Sequence, residues 1–136
     1  MLGAIGKYLN RVRQRFKSYL EGRRNTVYKI SHDENQMRVS WLTMENEKDS
    51  SSLAWNKVVS VKAFKRDLFA VDQICLEFEL NDGGALEIHE EMQGWQSLVS
   101  KLPDYLPGCK RLEEWFQEVA FPAFELNLTT IFERGE

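Results

Sequence analysis

Between Trp55 and Glu91 the chain alternates apolar and polar residues in three successive runs, the period of half-buried strands. In the first run Trp55, Val59, Val61 and Ala63 share one face, and Val58, Ser60, Lys62 and Phe64 fill the other. In the second, Ile74, Leu76, Phe78 and Leu80 point one way, and Gln73, Cys75, Glu77 and Glu79 the other. In the third, Leu86 and Ile88 face in, and Glu87 and His89 face out. The many β-branched and aromatic residues favour strands over a buried helix.

The turn between the second and third runs follows from the pattern. A two-residue turn at Asp82-Gly83 would set Phe78 opposite Glu87 and mix the faces. A three-residue loop, Asn81-Asp82-Gly83, pairs Leu80 with Gly84, Phe78 with Leu86 and Leu76 with Ile88. It also puts Gly83 where such a loop needs a left-handed residue, so the pattern predicts a G1-bulge hairpin. Its polar face sets Glu77 opposite Glu87 and Cys75 opposite His89.

Upstream, a hairpin is predicted from Tyr28 and Ile30, a polar turn at residues 32–35, and Met37, Val39 and Trp41 on one face. Residues 45–52, ENEKDSSS, read as a solvated loop. Lys65 to Asp72 reads as the link between two strands, with Leu68 and Phe69 forming either a partner hook or a cap.

Two helical patterns follow the sheet. Met92, Trp95, Leu98, Val99 and Leu102 fall on one face, with Glu90 and Glu91 in the first turn, where the helix dipole favours acids. Leu112, Trp115, Phe116 and Val119 mark a second helix from about Lys110 to Ala120. The tail from Phe121 to Arg134 is apolar enough to pack back, as an extended segment or a short strand.

At the other end of the chain, Leu2, Ile5, Leu9, Val12, Phe16 and Leu20 recur at steps of three and four. They predict an amphipathic helix over residues 2–21, ended by Gly22. Three fates are open to it: packing on its own sheet, pairing with another protein, or lying on an anionic membrane through Arg11, Arg15 and Lys17.

Charge sharpens this reading. The chain of 136 residues carries a net charge of -3, yet its first 24 residues hold seven basic side chains against Glu21 alone. The body is therefore acidic, which argues against nucleic acid as a partner. At this length one domain, 1–136, can bury a sufficient core without a metal or disulfide. It divides into the helix at 1–22, a core at 26–105, and a C-terminal helix and tail at 106–136. Cys75 and Cys109 do not make a disulfide framework. No run reaches the length of a membrane span, and no signal peptide is expected, so the expected location is the cytoplasm.

Candidate chemistry is sparse. The facing Glu77 and Glu87, beside His89, could share a proton or hold a divalent cation in a small metal-dependent hydrolase. The competing reading is a face that is solvated or covered by basic residues from elsewhere. His89-Glu90-Glu91-Met92-Gln93 lacks the second histidine of a zinc HExxH motif. His32, in or beside a turn, has no serine or cysteine neighbour that fits a catalytic triad.

Trp55-Asn56-Lys57-Val58-Val59-Ser60-Val61 resembles the W-x-x-[IV]-x-x-V strand of bacterial pleckstrin-homology-like and GRAM-like domains. The resemblance covers residues 26–105 and implies a bent antiparallel sheet plugged by the helix at Met92–Leu102. The first hairpin turn here is acidic, so phosphoinositide binding is not implied. Ala63-Phe64-Lys65-Arg66-Asp67-Leu68, Glu90-Glu91-Met92 with Gly94-Trp95, and Pro122-Ala123-Phe124 with Asn127 and Thr129 resemble small bacterial proteins of unassigned activity.

The expected fold is α+β: an antiparallel bent sheet or roll of about five strands, with an N-terminal amphipathic helix and two C-terminal helices. The expected function is a non-enzymatic interaction or adaptor module without a cofactor. Its expected partner is a protein or a second copy, bound through the N-terminal helix, the Leu68-Phe69 segment or an open sheet edge. The alternatives are peripheral membrane association and the hydrolase.

Overall fold

The computed structural model describes residues 27–42, 47–67, 72–121 and 127–135. The predicted N-terminal helix with Arg11, Arg15 and Lys17, and the Leu68-Phe69 pair, lie outside the described residues.

The fold is α+β, but its seven described strands form two antiparallel sheets and not one five-stranded roll. The first sheet contains β1 (Tyr28–His32), β2 (Gln36–Leu42) and β3 (Lys48–Ala54) in that order. The second contains β4 (Val58–Asp67), β5 (Asp72–Leu80), β6 (Ala85–His89) and β7 (Leu128–Glu133), in the order β6-β5-β4-β7. Two helices, α1 (Trp95–Tyr105) and α2 (Leu112–Ala120), lie between β6 and β7 in the chain.

The extra strands account for the difference. β3 falls in the stretch read as a solvated loop. Its Asp and Ser residues are poor strand formers, and only Leu53 is buried. The β2 ladder holds it nonetheless, from Gln36↔Ala54 to Leu42↔Lys48. A polar, charged strand suits a sheet edge, where it discourages further pairing. β4 and β5 are also longer than the alternation shows: Lys65, Arg66 and Asp67 pair with Ile74, Gln73 and Asp72 as strand residues. The apolar tail supplies β7, which closes the sheet against β4.

The predicted hairpin register is observed residue for residue, with Phe78↔Leu86, Leu76↔Ile88, Glu77↔Glu87 and Cys75↔His89. Leu80 donates its N–H to Gly84 O at 2.8 Å, and Gly83 takes φ +89°.

The start of β4 departs from simple alternation. Trp55–Lys57 forms a turn of 3₁₀ helix, and the ladder slips between Val58 and Ser60. A residue inserted there changes the side on which its neighbours lie. Val58 thereby joins Trp55, Val61 and Ala63 in the core, while Val59 leaves it. Arg134 fixes this corner, donating to Val58 O at 2.7 Å and Trp55 O at 2.9 Å.

Both sheets and both helices contribute to one core. Ile30, Met37 and Val39 from the first sheet meet Leu76, Phe78 and Ile88 from the second, closed by Leu98, Leu102, Trp115 and Val119. α1 begins at Trp95, not at Met92. Glu90 therefore lies outside the helix, and its carboxylate accepts the Ile74 N–H at 3.0 Å. Pro103 falls inside α1, and the helix runs on to Tyr105. α2 ends on Asn127, whose side-chain amide donates to Val119 O and Phe121 O at 3.1 and 3.0 Å. Those carbonyls lack helical donors, so Asn127 is the C-terminal cap.

Candidate functional site

Three places in the described structure gather chemistry or exposed apolar surface. The first is the face of the second sheet that points away from the core. Ser60, Lys62, Phe64 and Arg66 of β4 lie beside Glu79, Glu77, Cys75 and Gln73 of β5. Glu87 and His89 of β6 complete it. The sequence allowed a solvated face here, and the structure shows the contrary. Phe64, Cys75 and Gln73 are fully buried, and Glu77 is only 2% exposed. His89 and Arg66 are buried as well.

Burial of charge requires compensation. Arg66 reaches from β4 across β5 to form an ion pair with Glu87 on β6. On the next rows Glu79 accepts the Ser60 hydroxyl at 2.8 Å and pairs with Lys62 at 3.6 Å. His89 Nδ1 accepts the Glu91 N–H at 3.3 Å, which puts the proton of a neutral ring on Nε2. Burial pushes the Cys75 thiol well above its ordinary range; Arg66 opposes that shift, and Glu87, Glu90 and Glu91 add to it. The structure thus brings Glu77, Glu87 and His89 onto one face, with Glu87 committed to a guanidinium. Among the described residues no group of three or more His, Cys, Asp or Glu is placed to hold a metal ion.

The second place is around His32. The sequence suggests an incidental turn histidine. In the structure Nδ1 lies 2.6 Å from the Tyr105 hydroxyl and Nε2 lies 2.9 Å from Ser97 Oγ. Trp55 stacks on Tyr105, with ring centroids 4.9 Å apart, and donates its indole N–H to Asp33 O at 2.8 Å. The cluster ties the first hairpin to α1. Burial, then Asp33, Asp104 and Glu34, raise the Tyr105 pKa and keep the phenol neutral.

The third place is a groove between α1 and α2, about 710 Å³ in volume. Trp95 and Val99 of α1 line it on one side, and Leu112 and Phe116 of α2 on the other. Leu112 and Phe116 are each 39% exposed, and Phe121 just beyond α2 is 67% exposed. Glu90 and Glu113 stand on the rim. A second hollow of about 390 Å³ shares Val99, Ser100, Leu112 and Glu113 with the groove and extends it toward Asp104 and Arg111.

Sequence reasoning named Leu112, Trp115, Phe116 and Val119 as the apolar residues of α2 without dividing them between neighbours. The helix in fact carries two stripes. Trp115 and Val119, four apart, turn inward, while Leu112 and Phe116, also four apart, line the groove. At 100° per residue the four span an arc of about 100°, the width of one ordinary packed face, so their division between core and groove was not legible in the pattern.

No family model, curated protein or solved structure matches this chain.

Proposed function

We propose that this protein is a non-enzymatic interaction module that binds a protein partner through the groove between α1 and α2. The exposed Leu112 and Phe116 over the Trp95-Val99 floor carry the reading. Two large apolar side chains half out of water at the mouth of a concave surface are what a docking site presents. The rim chemistry selects the occupant. Glu90, Glu113 and Asp104 outnumber Arg111, so the groove favours a cationic ligand. α1 is eleven residues long, about 16 Å of helix axis. That length fits two to three turns of an amphipathic helix, with apolar knobs in the groove and basic residues at its flanks.

The cytoplasm is the location that agrees with this reading, because Cys75 and Cys109 are free thiols. Among the described residues no helix is long and apolar enough to cross a membrane.

Photo-crosslinking from position 116 in living cells tests the proposal, with position 48 on the β3 edge as control. The expected adduct is a basic amphipathic segment of a protein, captured from 116 and not from 48. Equal capture from both positions, or capture of lipid at 116, would overturn it.

A further inference from the structure

The outer face of the first sheet is a surface of opposite charge to the groove. Ile30, Met37, Val39 and Leu53 turn into the core, so their neighbours along each strand turn to solvent. The register sets those neighbours in rows: Leu42 beside Lys48, Lys29 beside Ser40 and Ser50, and Ser31 beside Arg38 and Ser52. Three cations and four serines thus share the face, and no Asp or Glu stands in these rows, in a chain whose net charge is -3. Among the described residues Lys29, Arg38 and Lys48 form no ion pair. Arg38, Ser40, Lys48 and Ser50 line a hollow of about 220 Å³. Asp49 stands at its side, with Oδ1 accepting the Ser50 N–H at 2.8 Å. Tyr28 pairs with Trp41, so Val27 before the one and Leu42 after the other stand at the same end of the hairpin, and both are exposed.

We propose that this face docks on an anionic lipid bilayer. A headgroup phosphate sits in the hollow between Arg38 and Lys48, and Val27 and Leu42 enter the interface beside it.

Serine is a poor strand former, so four on one face need another reason. Their short side chains keep the face low, and the longer cations and Leu42 are what a flat surface meets first. Their hydroxyls donate to phosphate oxygens. Strand spacing and rise put the Cα atoms of Lys29, Arg38 and Lys48 on a triangle about 8–14 Å on a side, an area that a membrane surface fills and one soluble phosphate does not. The hollow is also smaller than the roughly 300–1,000 Å³ of a pocket that encloses a soluble ligand. Tyr28 and Trp41 pack toward the core, so the rows offer no aromatic platform on which the bases of a single-stranded nucleic acid would stack. An acidic polypeptide would need the cations alone. Cations beside exposed apolar side chains are the combination that interfacial binding uses.

Co-sedimentation of the full chain with phosphatidylcholine vesicles containing about one-third phosphatidylserine tests the proposal. The expected result is binding that weakens with salt and is lost with phosphatidylcholine alone. Lys48→Ala should lower vesicle affinity about fivefold, and Lys29→Ala, Arg38→Ala and Lys48→Ala together about a hundredfold. Val27→Ser with Leu42→Ser weakens binding through the apolar pair. All five side chains are exposed, so the variants keep the parent's unfolding midpoint. Lys101→Ala, which removes an exposed cation on α1, and Phe116→Ala in the groove leave vesicle affinity unchanged. Absence of binding, or full binding by the triple variant, overturns the proposal. Equal losses from Lys48→Ala and Lys101→Ala also overturn it, because net charge alone would then explain the affinity. So does release by inorganic phosphate at the lipid's own concentration, which assigns the hollow to a soluble phosphate. Tighter binding to a glutamate-rich peptide than to the vesicles overturns it too, and assigns the face to an acidic protein.

Discussion

Gly94 is where the two sheets and α1 are joined, and its replacement by alanine is the sharpest test of that junction. The residue has φ +92° and immediately precedes α1. A Cβ placed there would lie 2.3 Å from the carbonyl oxygen of Ile30, a backbone atom that no rotamer change can move. Holding alanine at this φ costs about 1–2 kcal/mol. Relieving the overlap pushes β1 away, and with it the Ile30 N–H bond to Gln93 O at 2.7 Å and the Gln93 N–H bond to Tyr28 O at 3.2 Å. Two such bonds contribute about 1–3 kcal/mol together. The expected loss is therefore about 2–5 kcal/mol, a large share of a typical domain's stability. Gly83→Ala is the control, since Gly83 has φ +89° but nothing within 4 Å of its added Cβ. Urea unfolding followed by tryptophan fluorescence should show Gly94→Ala losing about 2 kcal/mol more than Gly83→Ala, with similar m-values. Equal losses would refute the close approach of β1 to the head of α1.

Other substitutions test separate contacts. Lys65 is 1% exposed, donates to Ala120 O at 3.1 Å at the C-terminal end of α2, and lies 3.5 Å from Asp72. Lys65→Met should cost about 2–4 kcal/mol in the same unfolding assay, because a buried carbonyl and a carboxylate lose a cation. Asn127→Ala removes the α2 cap, and a loss of about 1–2 kcal/mol is expected, with earlier hydrogen exchange at the end of α2. Alkaline titration should reveal Cys109, whose thiol burial and Glu114 push from 9.0 up to about 12. The unfolded chain releases that proton near pH 9 and the folded chain retains it, so Cys109 makes stability fall as pH rises above 9, by about 1.4 kcal/mol per pH unit at most, and buried Cys75 adds a fall of the same sign. Cys109→Ser should flatten that slope, and an unchanged slope would remove the thiol from the account.

The sequence carried the second sheet well because its apolar spacing and its turn agree. Phe78, Leu86 and Ile88 can share a face only through the Asn81-Asp82-Gly83 loop, so register followed from alternation alone. β3 was illegible for the opposite reason: Lys48, Asp49 and the three serines have no strand pattern, and their pairing is imposed by β2. The slip after Val58 was equally hidden, since Val58 and Val59 are both good strand residues. Glu77 and Glu87 were placed opposite each other correctly, but the pattern left open whether their face is solvated or covered. A local pattern shows which side a residue takes, but not what lies over that side. The groove was missed because amphipathicity counts apolar residues without assigning them to separate neighbours. Trp115 and Phe116 adjoin in sequence, yet one is core and the other groove wall.

The central claim is that the groove receives a cationic helix, and a titration of isotope-labelled full-length protein tests it most directly. Two helical peptides of equal length and apolar spacing serve as probes, one built on leucine and lysine, the other on leucine and glutamate. Chemical-shift changes confined to Trp95, Val99, Leu112 and Phe116 with the lysine peptide, abolished by Phe116→Ala and absent with the glutamate peptide, are the predicted result. Changes elsewhere on the surface, or an equal response to both peptides, would contradict the account.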